Sequence, residues 1–179
     1  MNYVGIDPGK TGAIVLVDKD CKIKFKATVP LIGKFVDLHH LDDYFKSLKE
    51  SYGEDIHVLL EDVHSIFGAG ATANFSFGRV LGNIEALIIS HKMKFTSVAP
   101  KEWQKTVWQG IRLVEINTGK KNKNGEVKYK IDTKATTLLA IKRLFPNDDF
   151  TKSSRAKKDD EGTVDACALA YYGYVKFNK

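Results

Sequence analysis

Four acidic residues have the side chains and the positions that a metal-dependent hydrolase needs. Asp7 and Glu61 each end an apolar, strand-like run. Glu161 and Asp165 are four residues apart at the start of the last helical pattern, so they share one helical face. Acids at the ends of buried elements are costly to desolvate unless a partner or a cation compensates them. Because hard divalent cations prefer carboxylate oxygens, these acids predict a metal site.

Local structure offers other roles for some of these acids. Asp7 begins a tight glycine-containing turn, where its carboxylate either faces a metal or phosphate or only bonds nearby amides. Asp62 points to the opposite face of its strand from Glu61 by alternation. Asp160 and Glu161 suit the start of a helix as capping residues. Asp165 lies among small apolar residues, where a surface acid is out of place, so a metal or a buried partner is expected there.

The formal net charge of +6 is concentrated in two segments. Six lysines and two acids lie between positions 117 and 134, and four basic residues with no acid lie between 152 and 158. Clustered cations beside an acidic site suit a protein that grips phosphates while it holds a metal. A solvated loop that keeps the protein soluble has the same composition, so charge alone leaves both roles open.

Apolar alternation and periodicity predict an α/β fold. Short strands separated by turn residues predict an antiparallel meander over residues 3–7, 12–18 and 22–29. A helix is expected over 37–52 and a strand over 56–61. Because a helical crossover leads into this strand, we expect it to pair parallel to the first strand. Asp7 and Glu61 then meet at the carboxyl ends of neighbouring strands, where α/β sheets bind ligands.

The second half of the chain contains an unusual basic segment between regular elements. The periodicities there predict a helix over 76–91, a fifth strand over 94–98, a short helical segment over 100–110, a helix from 132 or 133 to 145, and a last helix over 162–177. Residues 111–131 predict an inserted basic β-hairpin, with alternating strands at 112–116 and 126–131 and an Asn-Gly turn near its tip. A polar, lysine-rich linker is expected over 147–160.

Length and composition are typical of one soluble globular domain spanning residues 1–179. The chain is 43% hydrophobic and 28% charged. No run approaches the roughly 18 apolar residues of a membrane span, and the N-terminus has no export signal pattern. Cys21 and Cys167 fit no metal spacing, so reduced thiols and a cytoplasmic location are expected.

The order and spacing of five segments resemble the RuvC family of Holliday-junction resolvases, within the RNase H-like and retroviral-integrase superfamily of nucleases. The chain is most similar in character to phage-type members. The matching segments are residues 3–12 with their Gly-Ile-Asp-Pro-Gly turn, residues 60–64 around the second acid, residues 77–82 with two glycines, the set Pro100, Lys105, Val107 and Gly110, and residues 165–170 with their Asp-Ala-Cys-Ala pattern.

The resemblance implies an RNase H-like fold with a five-stranded mixed sheet, three antiparallel strands and then parallel ones, flanked by helices. It implies a homodimeric endonuclease that resolves four-way DNA junctions by paired nicks, leaving 5′-phosphate and 3′-hydroxyl ends. Gly78 and Gly82, one turn apart, would let a second copy or the chain's own sheet approach closely. Two Mg²⁺ ions per site, with Mn²⁺ as a substitute, are implied, without a nucleotide cofactor or membrane partner. The expected setting is the cytoplasm of a bacterial cell or phage-infected host.

By position, the resemblance also implies the four catalytic metal ligands: Asp7, Glu61, Glu161 and Asp165. Asp7, central on the first strand, is expected to bridge the two ions. The family commonly carries its third acid three residues before the last one. This chain has Gly162 there, so Glu161 or Asp160 must take that role.

Candidate DNA contacts are of two kinds. Lysines near the acids or in the hairpin are expected to contact backbone phosphates, which position DNA without reading its sequence; they are Lys105, Lys120, Lys121, Lys134, Lys157 and Lys158. His64 and Phe67 follow the second acid in a glycine-rich loop, and a ring there is expected to stack on bases unpaired at the branch point. Simple loop packing is the alternative role for Phe67.

Three other functions share part of this pattern. Actin-like ATPases and sugar kinases have the opening strand-Asp-Gly turn, but they need two such domains and give no reason for the pair Glu161 and Asp165. A catalytically silent junction-binding protein would lack one of the acids. A nuclease of the same superfamily that cuts flaps, other branched DNA or RNA–DNA hybrids remains open, because the sequence does not fix branch geometry.

Overall fold

Strands dominate the first third of the chain, and helices alternate with strands afterwards. The structure, a computed structural model, describes residues 1–63, 68, 70–153 and 155–178. Its strands are β1 (Asn2–Ile6), β2 (Ala13–Val17), β3 (Ile23–Thr28), β4 (Leu31–Ile32), β5 (Phe35–Val36), β6 (Ile56–Glu61), β7 (Lys94–Val98), β8 (Glu115–Lys121) and β9 (Val127–Ile131). Its helices are α1 (Leu38–Tyr52), α2 (Ala71–Ser90), α3 (Pro100–Val107), α4 (Thr133–Leu144) and α5 (Glu161–Phe177).

A five-stranded mixed sheet lies at the centre, in the order β3-β2-β1-β6-β7. The first three strands pair antiparallel, and β6 and β7 add on parallel to β1. The helical crossovers α1 and α2 make these parallel pairings possible. The predicted α/β, RNase H-like fold class is therefore confirmed, including the neighbouring positions of the first strand and the strand that carries Glu61.

Strand alternation gives the sheet two buried faces with separate cores. On one face Tyr3, Val15 and Leu59 pack with residues of α3, α4 and α5. On the other face Val4 and Leu60 pack with residues of α1 and α2. Because side chains of successive strand residues point to opposite faces, the continuous apolar runs of β1, β2 and β6 serve both cores.

The closest packing in the fold is that of α5 on β1. A Cβ atom on Gly5 would lie 2.0 Å from the carbonyl oxygen of Ala166 and 2.5 Å from the amide nitrogen of Ala170. Only a residue without a side chain therefore fits in β1 at this point. The small residues on the facing side of α5 complete the fit, so the helix lies directly on the strand.

Two sequence predictions differ from the structure in the first half of the chain. Helix α2 begins at Ala71, whereas the periodicity predicted a start at 76. Residues 71–75 are mostly exposed and Gly70 caps the helix without a side chain, so neither an apolar face nor a capping residue marks this end. The two-residue strands β4 and β5 were not predicted, because alternation cannot be detected over so short a length.

The predicted basic hairpin is present, but its strands begin and end at other residues than predicted. Residues 112–114 are not a strand, and β8 continues to Lys121 through residues that were assigned to the tip. The amide of Val114 donates to Thr136 Oγ1 over 3.1 Å, and its carbonyl accepts from the amide of Asp132 over 2.7 Å. These bonds tie the segment to α4 and keep it out of the hairpin ladder. The predicted Asn-Gly turn is confirmed, with Gly125 at a positive φ of 82°.

We predict that Gly5→Ala destabilises the protein by about 1–3 kcal/mol, because the added methyl group would overlap backbone atoms of α5 that cannot move independently. Urea unfolding of dilute protein measures the change. The matched control is Gly78→Ala in α2, where nothing lies within 4 Å of the new Cβ and the gain in helix propensity is worth up to about 1 kcal/mol. Equal stability of the two variants would contradict the close packing of α5 on β1.

Candidate active site

Asp7 and Glu61 lie at the same edge of the sheet. Strands β1 and β6 run parallel, with Ile6 opposite Leu60, so the next residue on each strand is one of the two acids. The amide of Asp7 donates to the carbonyl of Ala13 over 3.1 Å, which closes the turn after β1. The predicted meeting of these two acids at the carboxyl ends of neighbouring strands is confirmed.

Helix α5 brings Asp165 to the same edge. Its first turn rests on the turn after β1, where a Cβ on Gly162 would lie 2.3 Å from the carbonyl oxygen of Thr11. No side chain can therefore occupy position 162, which explains physically why this chain cannot carry an acid there. Asp165, three residues further along the helix, is coupled to Glu61 through its charge and is coupled in the same way to Asp7.

The charge of Lys134 offsets those of the Asp7 and Asp165 carboxylates only in part, and burial raises the pKa of both acids. Within the described residues, neither accepts a hydrogen bond or forms an ion pair. Burial, followed by the charges of Glu61, Asp165 and Asp160, raises the pKa of Asp7 to about 8. Burial and the charge of Glu61 raise the pKa of Asp165 to about 7. The site thus concentrates negative charge at a point where water is already scarce.

Glu61 has a positioning partner that sequence reasoning missed. The indole Nε1 of Trp103 donates to its carboxylate over 3.0 Å, and Trp103 is 2% exposed. Burial raises the pKa of Glu61, and this hydrogen bond partly lowers it again. Because a buried indole N–H needs an acceptor, a tryptophan just after the fifth strand indicates a hydrogen-bond acceptor near this end of the sheet. The sequence did not reveal which acceptor it meets.

Glu161 is in a different electrostatic state from the other three acids. Both Lys134 and Lys158 donate to its carboxylate, the latter over 3.0 Å. These hydrogen bonds lower the pKa of Glu161, and Glu161 in turn raises the pKa of Lys134. The charges of Asp165 and Asp7 also act on Lys134, so this lysine lies among the carboxylates. The role of Glu161 as a metal ligand stays a prediction.

Asp160 is the N-cap of α5, as its position suggested. Its carboxylate accepts from the amide of Thr163 over 3.0 Å and from the hydroxyl of Thr163 over 2.7 Å. Lys152 forms an ion pair with its other oxygen over 3.1 Å. Both oxygens of Asp160 are thus bound by protein donors, as are both oxygens of Glu161, and the choice of either acid as the third ligand stays a prediction.

A cleft of about 480 Å³ lies over the acids. Its lining residues include Asp7 and Asp165 together with four lysines: Lys134, Lys152, Lys157 and Lys158. Three of the predicted phosphate contacts thus border the acids, although Lys134 and Lys158 also bind Glu161. Lys105, Lys120 and Lys121 are exposed on α3 and β8, and they do not line this cleft. His64 and Phe67 lie outside the described residues.

The chemistry of these side chains fits a hard divalent cation. Within the described part of the chain, no group of three or more His, Cys, Asp or Glu side chains is arranged so as to hold a metal ion by itself. Mg²⁺ does not require such a cage, since it commonly takes one or two carboxylates and fills its shell with water and substrate phosphates. The carboxylates of Asp7 and Asp165, which accept no hydrogen bond from the described residues, supply oxygens of this kind.

Comparison with known proteins identifies the fold. No family model matches the chain, and no curated protein sequence matches it. Among solved structures, RuvC of Thermus thermophilus matches with a TM-score of 0.59 at 16% identity, over 96% of this chain and 92% of that one. The chain has a RuvC-like fold. No helix in the described ranges combines the length and the apolar character needed to cross a membrane.

Two further structures with the RuvC-like fold are similar to the chain. T. thermophilus RuvC in complex with a Holliday junction substrate matches with a TM-score of 0.59 at 12% identity, over 99% of this chain and 97% of that one. The yeast mitochondrial Holliday junction resolvase matches with a TM-score of 0.57 at 15% identity, over 98% of this chain and 78% of that one. The likeness extends over nearly the whole chain, so it includes the strands and the helix that carry the acids.

We predict that Asp7→Asn raises the free energy of unfolding in metal-free buffer, by up to about 5 kcal/mol at pH 8 and by about 1–2 kcal/mol at pH 5. The folded protein keeps the Asp7 proton up to a pKa of about 8, whereas the unfolded chain loses it near 3.8. Stability therefore falls as pH rises between these values, and asparagine removes that loss. Urea titrations at both pH values, with EDTA present, measure the effect.

Glu161→Gln serves as the control with the opposite sign. Because the pKa of Glu161 is lowered, its ion pairs stabilise the fold above the unfolded pKa, and this contribution is lost as pH falls through the folded value. We expect Glu161→Gln to reduce stability at neutral pH and to have little effect in acid. If Asp7→Asn also reduced stability at neutral pH, the carboxylate of Asp7 would have a compensating partner.

Proposed function

We propose that the chain is a structure-specific DNA endonuclease that resolves four-way junctions by paired, metal-dependent nicks. The observation that carries this proposal is the meeting of Asp7, Glu61 and Asp165 at one edge of a RuvC-like sheet, where Asp7 and Asp165 accept no hydrogen bond from the described residues. Groups with strongly shifted pKa values in a cleft are typical of functional sites. The products are expected to be 5′-phosphate and 3′-hydroxyl ends.

The carboxylates and lysines of the site have different roles around the scissile phosphate. Asp7 and Asp165, with Glu61 held by Trp103, would hold the cations. When bound, paired Mg²⁺ ions supply an activated water and stabilise the leaving 3′ oxygen. Lys157 borders the cleft and is placed to contact a backbone phosphate.

The ion pairs of Glu161 suggest how substrate entry changes the site. Lys134 and Lys158 now use their charges on Glu161. A phosphodiester that enters the cleft would compete for the same two ammonium groups. As they turn to the phosphate, the Glu161 carboxylate becomes free to act as the remaining ligand. Lys134 and Lys158 would thus neutralise Glu161 when DNA is absent and the phosphodiester when DNA is bound.

Branched DNA is the substrate class that fits best. The net charge of +6 and the four lysines of the cleft suit a polyanion. One of the similar structures is described as RuvC in complex with a Holliday junction substrate. By fold-level analogy, a four-way junction is our first choice, and flaps, three-way branches and RNA–DNA hybrids are the competing substrates.

A homodimer is part of this proposal, because paired nicks need two active sites. Helix α2 carries an exposed stripe of small and apolar residues at spacings of three and four: Phe75, Gly78, Gly82, Ala86 and Ile89. Phe75 is 69% exposed and Ile89 is 62% exposed. Among the residues that the structure describes, nothing lies within 4 Å of a Cβ placed on either glycine. An unpartnered stripe of this kind suits a second copy of the same helix.

We expect Asp7→Asn to reduce junction cleavage in Mg²⁺ by more than about a hundredfold, since loss of a partner that only supports a ligand already costs about 10- to 100-fold. Binding without metal should be unchanged or tighter, because a charge that repels phosphate is removed. Gel assays with labelled four-way, three-way, flap and hybrid substrates measure both quantities. Cleavage by Asp7→Asn at the normal rate would refute the mechanism, and a preference for another substrate would refute the choice of junction.

Trp103→Phe tests the support of Glu61 in the same assay. It keeps an aromatic ring in the core and removes the N–H donor together with part of the ring system, so we expect a loss of about 10- to 100-fold in cleavage or metal affinity. Trp108→Phe is the matched control, because its indole donates to Thr137 Oγ1 rather than to a carboxylate. Equal losses in the two variants would indicate general damage to the core.

The dimer is tested by light scattering of the free protein and of its junction complex. We expect twice the monomer mass for the natural chain and the monomer mass for Ala86→Arg, which places a charge in the exposed stripe of α2. Ser47→Arg, on an exposed position of α1, should remain dimeric. A natural chain that stays monomeric on junction DNA would remove the paired-nick part of the proposal.

A further inference from the structure

The hairpin of β8 and β9 extends into solvent. Every residue of β9 is exposed, and so is every residue of β8 except Thr118. The two strands pair with each other and join no other sheet. A two-stranded ribbon is only marginally stable without further packing. A chain that keeps one beside its candidate active site therefore suggests that the ribbon has a partner.

The two sides of β9 differ in character. Val127, Tyr129 and Ile131 alternate along β9 on one face, and Tyr129 is 60% exposed. Lys128 and Lys130 occupy the other face. Strand β9 thus presents an apolar side with one aromatic ring and a cationic side with two ammonium groups. On β8, Asn117 and Lys121 share the side of Tyr129 and Val127, and Ile116 shares the side of Lys130.

The charge on the ribbon is strongly positive. Lysines are found along both strands and in the turn: Lys120, Lys121, Lys123, Lys128 and Lys130. Within the described residues, none of these lysines forms an ion pair. The acids are Glu115 at the base and Glu126, which accepts a hydrogen bond from the side chain of Asn122 within the turn. Unpaired cations on a projecting element complement a polyanion, and they would repel the same ribbon of a second copy.

The base of the ribbon is fixed to the rim of the candidate active site. Val114, just before β8, is bonded on both sides to the start of α4, through Asp132 and Thr136. The carboxylate of Asp132 caps α4 by accepting from the amide of Ala135 over 3.0 Å. Two residues after Asp132, Lys134 binds Glu161 among the carboxylates. The position of the ribbon is therefore set relative to the acids.

We propose that the hairpin of β8 and β9 is an arm that binds the duplex running away from the scissile phosphate. The inference rests on the proposed function and names a further binding surface for the same DNA. A strand of seven residues is about 24 Å long, which matches about 7 base pairs of B-form DNA. A two-stranded ribbon fits the major groove, where the side of β9 that carries Lys128 and Lys130 faces the DNA and its ammonium groups reach the phosphates.

The double variant Lys128→Ala/Lys130→Ala tests this arm, with Lys46→Ala/Lys94→Ala as the control that removes equal charge elsewhere. Lys94 begins β7, at the edge of the sheet opposite the acids. Binding to a four-way junction and to a linear duplex is measured without metal over a range of salt concentrations. We expect the arm variant to bind about tenfold more weakly and its salt slope to fall by about two, with neither change in the control.

Hydroxyl-radical footprinting locates the contact. The natural chain should protect about 7 base pairs of an arm beyond the cut site, and the arm variant should lose that protection. Unchanged slope and footprint in the arm variant would overturn the inference while leaving the proposed function intact. Binding that depends on the arm, without any cleavage of the junction, would support the inference and overturn the proposed function. A natural chain that binds no DNA at all would overturn both.

Discussion

The backbone contact between α5 and β1 is the constraint on which the rest of the site depends. Gly5 lets the helix lie on the strand, and Gly162 lets its first turn rest on the turn that follows Asp7. A side chain at either position would overlap backbone atoms and force the helix away from the strand or the turn. Because the separation between strand and helix is fixed by atoms that cannot rotate away, Asp165 is held near Asp7 despite the repulsion between them.

The stability of the two apolar cores holds these repelling carboxylates close together. The apolar cores on the two sides of the sheet stabilise an arrangement in which the partly buried carboxylates of Asp7 and Asp165 repel each other and accept no hydrogen bond from the described residues. Elsewhere the same acidic segment is fully compensated, since Asp160 caps α5 and Glu161 binds two lysines. Among these acids, the ones that accept no hydrogen bond from the described residues are therefore the two at the expected cation site, Asp7 and Asp165. This division is typical of sites in which local strain serves function.

The sequence predicted the sheet, its mixed pairing and most helices, because long apolar runs and helical periodicities are local signals. It also placed Asp7 and Glu61 together through sheet topology, and the resemblance to the RuvC family added Asp165. It did not predict the start of α2, which has no apolar face, or the limits of β8, which depend on bonds to α4. The contact of Trp103 with Glu61 joins residues 42 positions apart, and such tertiary contacts leave no local pattern.

The hairpin of β8 and β9 can change in evolution independently of the central sheet. It is inserted between α3 and α4, is almost wholly solvated, and contributes nothing to either core. Its length and composition can therefore change without a cost to the central sheet, provided that the anchor around Val114 is kept. Evolution, or a protein engineer, is free to exchange this module and so to retune which nucleic acids are held, while the machinery beneath it stays the same.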